Sequence, residues 1–289
     1  MQAIATWLLA RPHNAVFALV VTLLLPPAPQ LISGAVLVLL VLGQGTRFAV
    51  IEACVAAAVL AMMSLLLERS LASVIVLTAG TWVPVGLLAI SLVAMRSLTL
   101  TLQVSVIAAV AAMLFFKIAV PDAAAFWQPY LDEMVRIVRE NGMQLDTAML
   151  TAEIMTISAV LVFWLLFTGA LLLGYGLYRR LPIETVDYGR FRDLNFGRVI
   201  ALSLALASVL AFALDATWLQ NVAFIVFVMF TMQGLAIVHW LHSEGMLPKI
   251  AVVSMYVLLP LLQVLLVMVL ALIGYTDAWF GFRRRFKKA

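Results

Sequence analysis

The chain is 289 residues long, 65% hydrophobic and only 11% charged, with a mean hydropathy of +1.14. Soluble domains carry about a quarter charged residues, and so apolar a surface in water would aggregate, so the composition excludes a soluble globular protein. The net charge of +4 does not point to nucleic acid, because ten of the 18 basic residues fall in two short blocks, 179–198 and 283–288. Such clustering orients membrane segments.

Taken in chain order with a ruler of roughly 20 apolar residues per crossing, the first segment runs from Ala3 to Leu25, interrupted by Arg11, Pro12, His13 and Asn14. It lacks a small-x-small cleavage site, so the N-terminus is expected to be retained rather than removed as a signal peptide. A short segment, Leu31–Leu42, follows the proline cluster Pro26, Pro27 and Pro29. Then come Phe48–Leu67, Leu71–Met95, Leu98–Val120 and, after a polar excursion, Leu150–Tyr178. The remainder offers Val199–Leu214, Trp218–Trp240 and Ile250–Tyr275. No β-alternation is present, and a helix satisfies its own backbone in lipid. The expected fold is all-α: a polytopic transmembrane helical bundle forming a single membrane domain over residues 1–289.

Lys and Arg in short loops set the orientation. Arg179, Arg180, Arg190, Arg192 and Arg198 mark a cytoplasmic connection, and the acidic excursion 121–149 fits the outer face. Within it Leu131, Met134, Val135 and Val138 recur at helical spacing opposite Asp132, Glu133, Arg136, Arg139 and Glu140. This predicts an amphipathic helix lying on the outer membrane surface, with Arg136 placed for i,i+4 pairs to Asp132 and Glu140. Placing the basic tail 281–289 in the cytoplasm requires about eight crossings, so Val199–Leu214, the shortest late segment, is expected to be tilted or re-entrant.

Ionisable and polar groups within apolar runs are the candidates for function. Glu52 lies about a turn into its span, five residues after Arg47, which predicts a structural ion pair, with a ligand-binding role as the alternative. Glu153 lies near the outer surface, Lys117 can snorkel from a helix end, and Asp215 is expected to N-cap the next helix. Gln103, Gln233 and Gln263, with Gln220 and Asn221, are suited to interhelical hydrogen bonds or to a polar cavity for a small solute. Pro84 and Pro260 interrupt spans; broken helices line solute sites in many transporters, and a plain kink is the commoner case. His239 and His242 stand at i,i+3 rather than the i,i+4 spacing of zinc-binding helices, which makes them weak metal candidates. No nucleophile elbow or phosphate-cradling loop is present, and neither a catalytic residue, a cofactor nor a metal is expected.

The stretches Gly43-Gln44-Gly45-Thr46-Arg47, Gln233 to His239, and Gly274 to Arg285 with Asp277, Trp279, Phe280, Phe282 and Arg283 resemble the YybS-like family of bacterial inner-membrane proteins, a domain of unknown function. That family is distantly similar to the substrate-binding subunits of energy-coupling-factor transporters and to the cell-shape protein MreD. The resemblance implies a multi-pass inner-membrane protein that binds a small solute, with another membrane protein or an ATPase subunit as energising partner. The alternative is a non-transporting scaffold for envelope machinery.

Overall fold

A computed structural model describes residues 2–25, 29–142 and 150–283. Among these residues the chain forms twelve α-helices and no strand. They are α1 (Gln2–Ala10), α2 (Pro12–Leu24), α3 (Pro29–Gln44), α4 (Thr46–Leu66), α5 (Leu71–Met95), α6 (Leu98–Ala119), α7 (Ala123–Glu140), α8 (Ala152–Tyr178), α9 (Gly197–Leu214), α10 (Thr217–Ser243), α11 (Lys249–Leu258) and α12 (Gln263–Phe280). Seven of them, α4, α5, α6, α8, α9, α10 and α12, are long and apolar enough to cross a membrane, and the pair α1–α2 makes an eighth if it is one broken span. This is the make-up of a multi-pass membrane protein. The basic tail beyond Arg283 lies outside the described residues.

The breaks have local causes. Pro12 forces Arg11 out of the helical region, so Arg11 takes φ −150° and ψ 142° and α1 meets α2 at a 117° bend. Between α3 and α4 a single residue, Gly45, reverses the chain at φ +92°, a conformation open chiefly to glycine.

Val199–Leu214 forms most of α9, an 18-residue helix long and apolar enough for a crossing. Other expectations are corrected here. Ile250–Tyr275 is instead split, because the chain breaks around Pro260 into α11, ten residues long, and α12. At roughly 1.5 Å per residue, α11 alone falls well short of a bilayer core. Pro84 does not break its helix, since α5 runs continuously through it. Asp215 is the left-handed C-cap of α9 (φ +46°), and Ala216 holds the N-cap position of α10.

The helices group into two compact units, residues 1–105 with 164–191, and 106–163 with 192–289. In the first unit the centre is α3, whose residues from Ala35 to Val41 are all buried. This explains why so short a helix is so apolar: α2, α4 and α5 pack around it. Polar staples fix the packing. Trp82 Nε1 donates to Ser33 Oγ at 2.9 Å, and Ser33 Oγ donates to the Leu19 carbonyl at 3.2 Å, linking α5, α3 and α2. Trp164 Nε1 donates to Ser105 Oγ at 2.9 Å, joining α8 to α6. The connection after α8 is built, not slack: the Tyr175 hydroxyl accepts from Tyr188 N (2.9 Å) and shares its one proton between the Gly189 carbonyl (3.0 Å) and Asp187 Oδ1 (3.1 Å).

In the second unit α10 and α12 are the closest neighbours. A Cβ at Gly234 would collide with the Leu270 carbonyl, and one at Gly274 with the Phe230 carbonyl. Small residues thus let the two backbones touch, the usual means of tight helix association in lipid. The amphipathic α7 has no buried residue. Asp122 caps it by accepting from Ala125 N at 2.9 Å, and Leu131, Val135 and Val138 are half-buried along one face. Arg136 pairs with Glu140 at 3.3 Å as expected, but its other partner is Glu133 at 2.6 Å. Asp132 accepts from Gln128 instead.

Candidate functional site

Three polar constellations stand out among the apolar helices. The first lies in the first unit around Glu52, on α4. Its residue is only 6% exposed, yet the predicted pair with Arg47 does not form: the three ion pairs among the described residues do not include it. Arg47 is exposed. Five positions on a helix is about 500° of rotation, so the two side chains leave different faces. The group that meets Glu52 is the Gln44 amide. With its nitrogen turned to the carboxylate, Gln44 Nε2 donates to Oε1 at 3.1 Å and to Oε2 at 3.2 Å. The opposite amide orientation offers Nε2 only the Leu9 carbonyl at 3.4 Å and faces oxygen against oxygen, so the first is chemically sounder. Beside Glu52 a groove of about 500 Å³ runs between α2 and α4, with His13 at its edge.

The second is a node in the second unit. Asp277 on α12 is 1% exposed and pairs with Arg283 at 2.7 Å, whose side chain is 11% exposed. Arg283 Nε reaches the same oxygen at 3.2 Å. Its two terminal nitrogens also donate to the Arg192 carbonyl (2.8 Å) and the Leu194 carbonyl (2.7 Å). Gln233 on α10 completes the node: Nε2 donates to Asp277 Oδ2 at 3.0 Å, and Oε1 accepts from Phe196 N at 2.8 Å. Both ends of that amide are thus engaged within the protein. Phe230 stacks edge-on to Phe196 and Tyr275 around it. The node clamps the segment before α9 and the residues after α12 onto the α10–α12 pair.

The third is a pocket of about 210 Å³ where the end of α6, the start of α7, the start of α8 and Asn221 of α10 converge. Lys117, Glu153, Thr156 and Asn221 face it among apolar neighbours. Lys117 and Glu153 form no ion pair with each other. Trp127 Nε1 donates to Thr156 Oγ1 at 2.9 Å and so ties α7 over the pocket. Phe116, Phe126, Trp127 and Tyr130 form a continuous aromatic cluster at the same place.

Within each unit the expected site residues take separate places. Gln233 meets Asp277, whereas Gln263 stands fourteen positions earlier on α12, about 21 Å along the axis, and is exposed. Gln103 is half-buried on α6 in the first unit. The histidines take separate partners: His239 Nε2 and the Tyr256 hydroxyl are 2.8 Å apart, and His242 Nδ1 lies 2.9 Å from the Leu247 carbonyl. No group of three potential metal ligands converges among the described residues.

Sequence reasoning missed Asp277 and Arg283 as a site, although an acid within an apolar run six residues before an arginine is a visible signal. It also treated Lys117 and Glu153 separately, since nothing local joins residues on different helices. In the connection after α8, the Gly189 amide, followed by the Tyr175 hydroxyl, holds the Asp187 carboxyl below the usual aspartate range. Burial pushes the Tyr188 phenol up. Compared with known proteins, the chain is matched by no family model, no curated protein and no solved structure.

Proposed function

We propose that this chain is a transporter-type subunit of a bacterial inner membrane that binds a small solute and relies on a separate energising partner. The observation that carries this proposal is the pocket between α6, α7, α8 and α10. A cation, an anion, a hydroxyl and an amide face one small volume beside an amphipathic helix, and ligand sites combine an apolar lining with a few convergent polar groups in this way. Lys117 and Glu153, unpaired with each other, suit the carboxylate and ammonium of an amphoteric solute. The volume limits that solute to a few heavy atoms. The resemblance to YybS-like proteins belongs to the same proposal, as does the energising partner.

The test is co-purification of the full chain in mild detergent, with mass spectrometry of retained small molecules, followed by thermal unfolding with each compound found. A ligand that binds only the folded state stabilises it by about 2.7 kcal/mol at a hundred times its Kd. The expected result is an upward shift with a small amphoteric solute that disappears in Lys117→Ala and Glu153→Gln. If no retained or added solute shifts the transition, the solute-binding proposal is wrong, and a scaffold role becomes the better account. The lateral groove of the first unit is the feature that would then matter.

A further inference from the structure

One end of the first unit gathers arginines from three separate stretches of chain. Arg96 is the C-cap of α5, held left-handed at φ +49°. Just past it, Leu98 N donates to the Tyr188 carbonyl at 2.7 Å, which fastens the start of α6 to the connection after α8. That connection carries Arg190. Arg179 stands where it leaves α8, with its guanidinium carbon 5.8 Å from the centroid of the Tyr175 ring. Two tyrosines tie the connection down: the Tyr175 hydroxyl bonds residues 187–189, and the Tyr178 hydroxyl accepts from Val186 N at 3.1 Å.

The three cations act on one spot. The Gly189 amide and the Tyr175 hydroxyl, joined by the charges of Arg179 and Arg190, hold the Asp187 carboxyl low. Burial pushes the adjacent Tyr188 phenol up, while Arg96 pulls against it. All three arginines are exposed, and none belongs to an ion pair among the described residues. The acids on the connection are Glu184 and Asp187, and the Asp187 carboxylate already accepts from Gly189 N and the Tyr175 hydroxyl. Positive charge is therefore in excess here.

The apolar surroundings say what faces that charge. Val93, Met95 and Leu100 beside Arg96, and Val186 on the connection, are exposed. Since α5 is apolar and long enough to cross the membrane and ends at Met95, Arg96 lies where hydrocarbon gives way to phosphate. Exposed apolar and basic side chains placed together suit that boundary: the first enter hydrocarbon and the second snorkel to the headgroups. A soluble anion would leave Val186 in water.

We propose that Arg96, Arg179 and Arg190 form a site for the phosphate of an anionic phospholipid of the phosphatidylglycerol type. Guanidinium groups bind phosphate through paired, charge-assisted hydrogen bonds, and basic pockets between spanning helices hold anionic headgroups. This inference lies in the first unit and is independent of the solute pocket.

Native mass spectrometry of the full chain, exchanged into phosphatidylglycerol or phosphatidylcholine of matched acyl chains, tests it. Phosphatidylglycerol should be retained on the order of tenfold better, and Arg96→Gln, Arg179→Gln and Arg190→Gln should each cut that preference about fivefold, the share of one cation at an anionic surface. The triple variant should retain both lipids equally. Arg69→Gln is the control: Arg69 is also exposed, but it lies beyond the other end of α5, roughly 36 Å along the helix axis from Arg96. Circular dichroism checks the helical content, and if the triple variant fails to fold, Arg96→Gln and Arg190→Gln decide by their own losses. Equal retention by the unaltered chain, an undiminished preference in the folded variants, or the same loss in Arg69→Gln overturns the proposal. So does release of the lipid by inorganic phosphate but not by chloride at equal ionic strength, which would make the site one for a soluble anion.

Discussion

Replacing Arg283 with alanine removes four hydrogen bonds at once: two to Asp277 Oδ2, and one each to the carbonyls of Arg192 and Leu194. What remains is a carboxylate only 1% exposed, with the Gln233 amide as its single donor. Its Oδ1 has no hydrogen-bond partner. Leaving one member of a buried pair uncompensated costs about 3–5 kcal/mol, whereas an exposed pair contributes about 0–1 kcal/mol. At about 2–4 °C per kcal/mol for a domain of this size, the unfolding midpoint should fall by roughly 10 °C. The measurement is a thermal transition in mild detergent at one fixed scan rate, because unfolding of such proteins is commonly irreversible. Arg136→Ala is the control, since Arg136 sits in pairs on α7 whose side chains are more than half exposed. Replacing both partners by apolar residues of similar size, Asp277→Leu with Arg283→Met, should recover most of the loss, because no buried charge is then left over. If Arg283→Ala lowers the midpoint no more than Arg136→Ala does, the node is not a clamp and the argument from burial fails.

Gly234→Ala should separate α10 from α12 and cost at least as much as a poorly tolerated overpacking change, about 1–3 kcal/mol; an unchanged midpoint would mean that the two backbones do not touch. A double-mutant cycle should find coupling between Glu52 and Gln44 and none beyond about 0.5 kcal/mol between Glu52 and Arg47, whereas strong coupling to Arg47 would restore the ion pair that the structure lacks. Asp187 has a depressed folded-state pKa, so its stabilisation is fully present above the ordinary aspartate value and is lost as pH falls through the lower folded value. Asp187→Asn should therefore lower stability at neutral pH, converge with the unaltered chain at low pH and so flatten the acid limb, and an unaltered acid limb would count against the Tyr175–Gly189 arrangement. With Cys54 replaced, cysteine introduced at Glu133 should react with a membrane-impermeant thiol reagent applied from outside; reaction only from the cytoplasmic side would invert the orientation.

Most of the helices were legible because hydropathy and period are local properties. A run of some 20 apolar residues has no other way to satisfy its backbone in lipid, and the stripe of Leu131, Val135 and Val138 announces α7 as a surface helix without any knowledge of its neighbours. The break at Arg11–Pro12 and the turn at Gly45 follow from backbone sterics of one or two residues. Pro84 shows the limit of that logic. A proline removes one hydrogen bond from a helix, but whether the helix parts there depends on what packs around it. α5 stays whole beside the Trp82–Ser33 staple, while the chain opens at the exposed Pro260.

The polar partnerships were decided by tertiary structure alone. Asp277 and Gln233 are 44 residues apart, Arg283 and the Leu194 carbonyl 89, and no periodicity relates positions so distant. Glu52 illustrates the same point at short range, since the nearest cation in sequence, Arg47, lost to Gln44 at the end of the preceding helix. Sequence by itself determined that this is an all-helical membrane protein, because the solvent dictates that from composition and segment length. Which buried charge faces which donor, and which groups share a pocket, was set only when the helices packed, because side chains separated by a turn of chain or by a hundred residues become equal neighbours there.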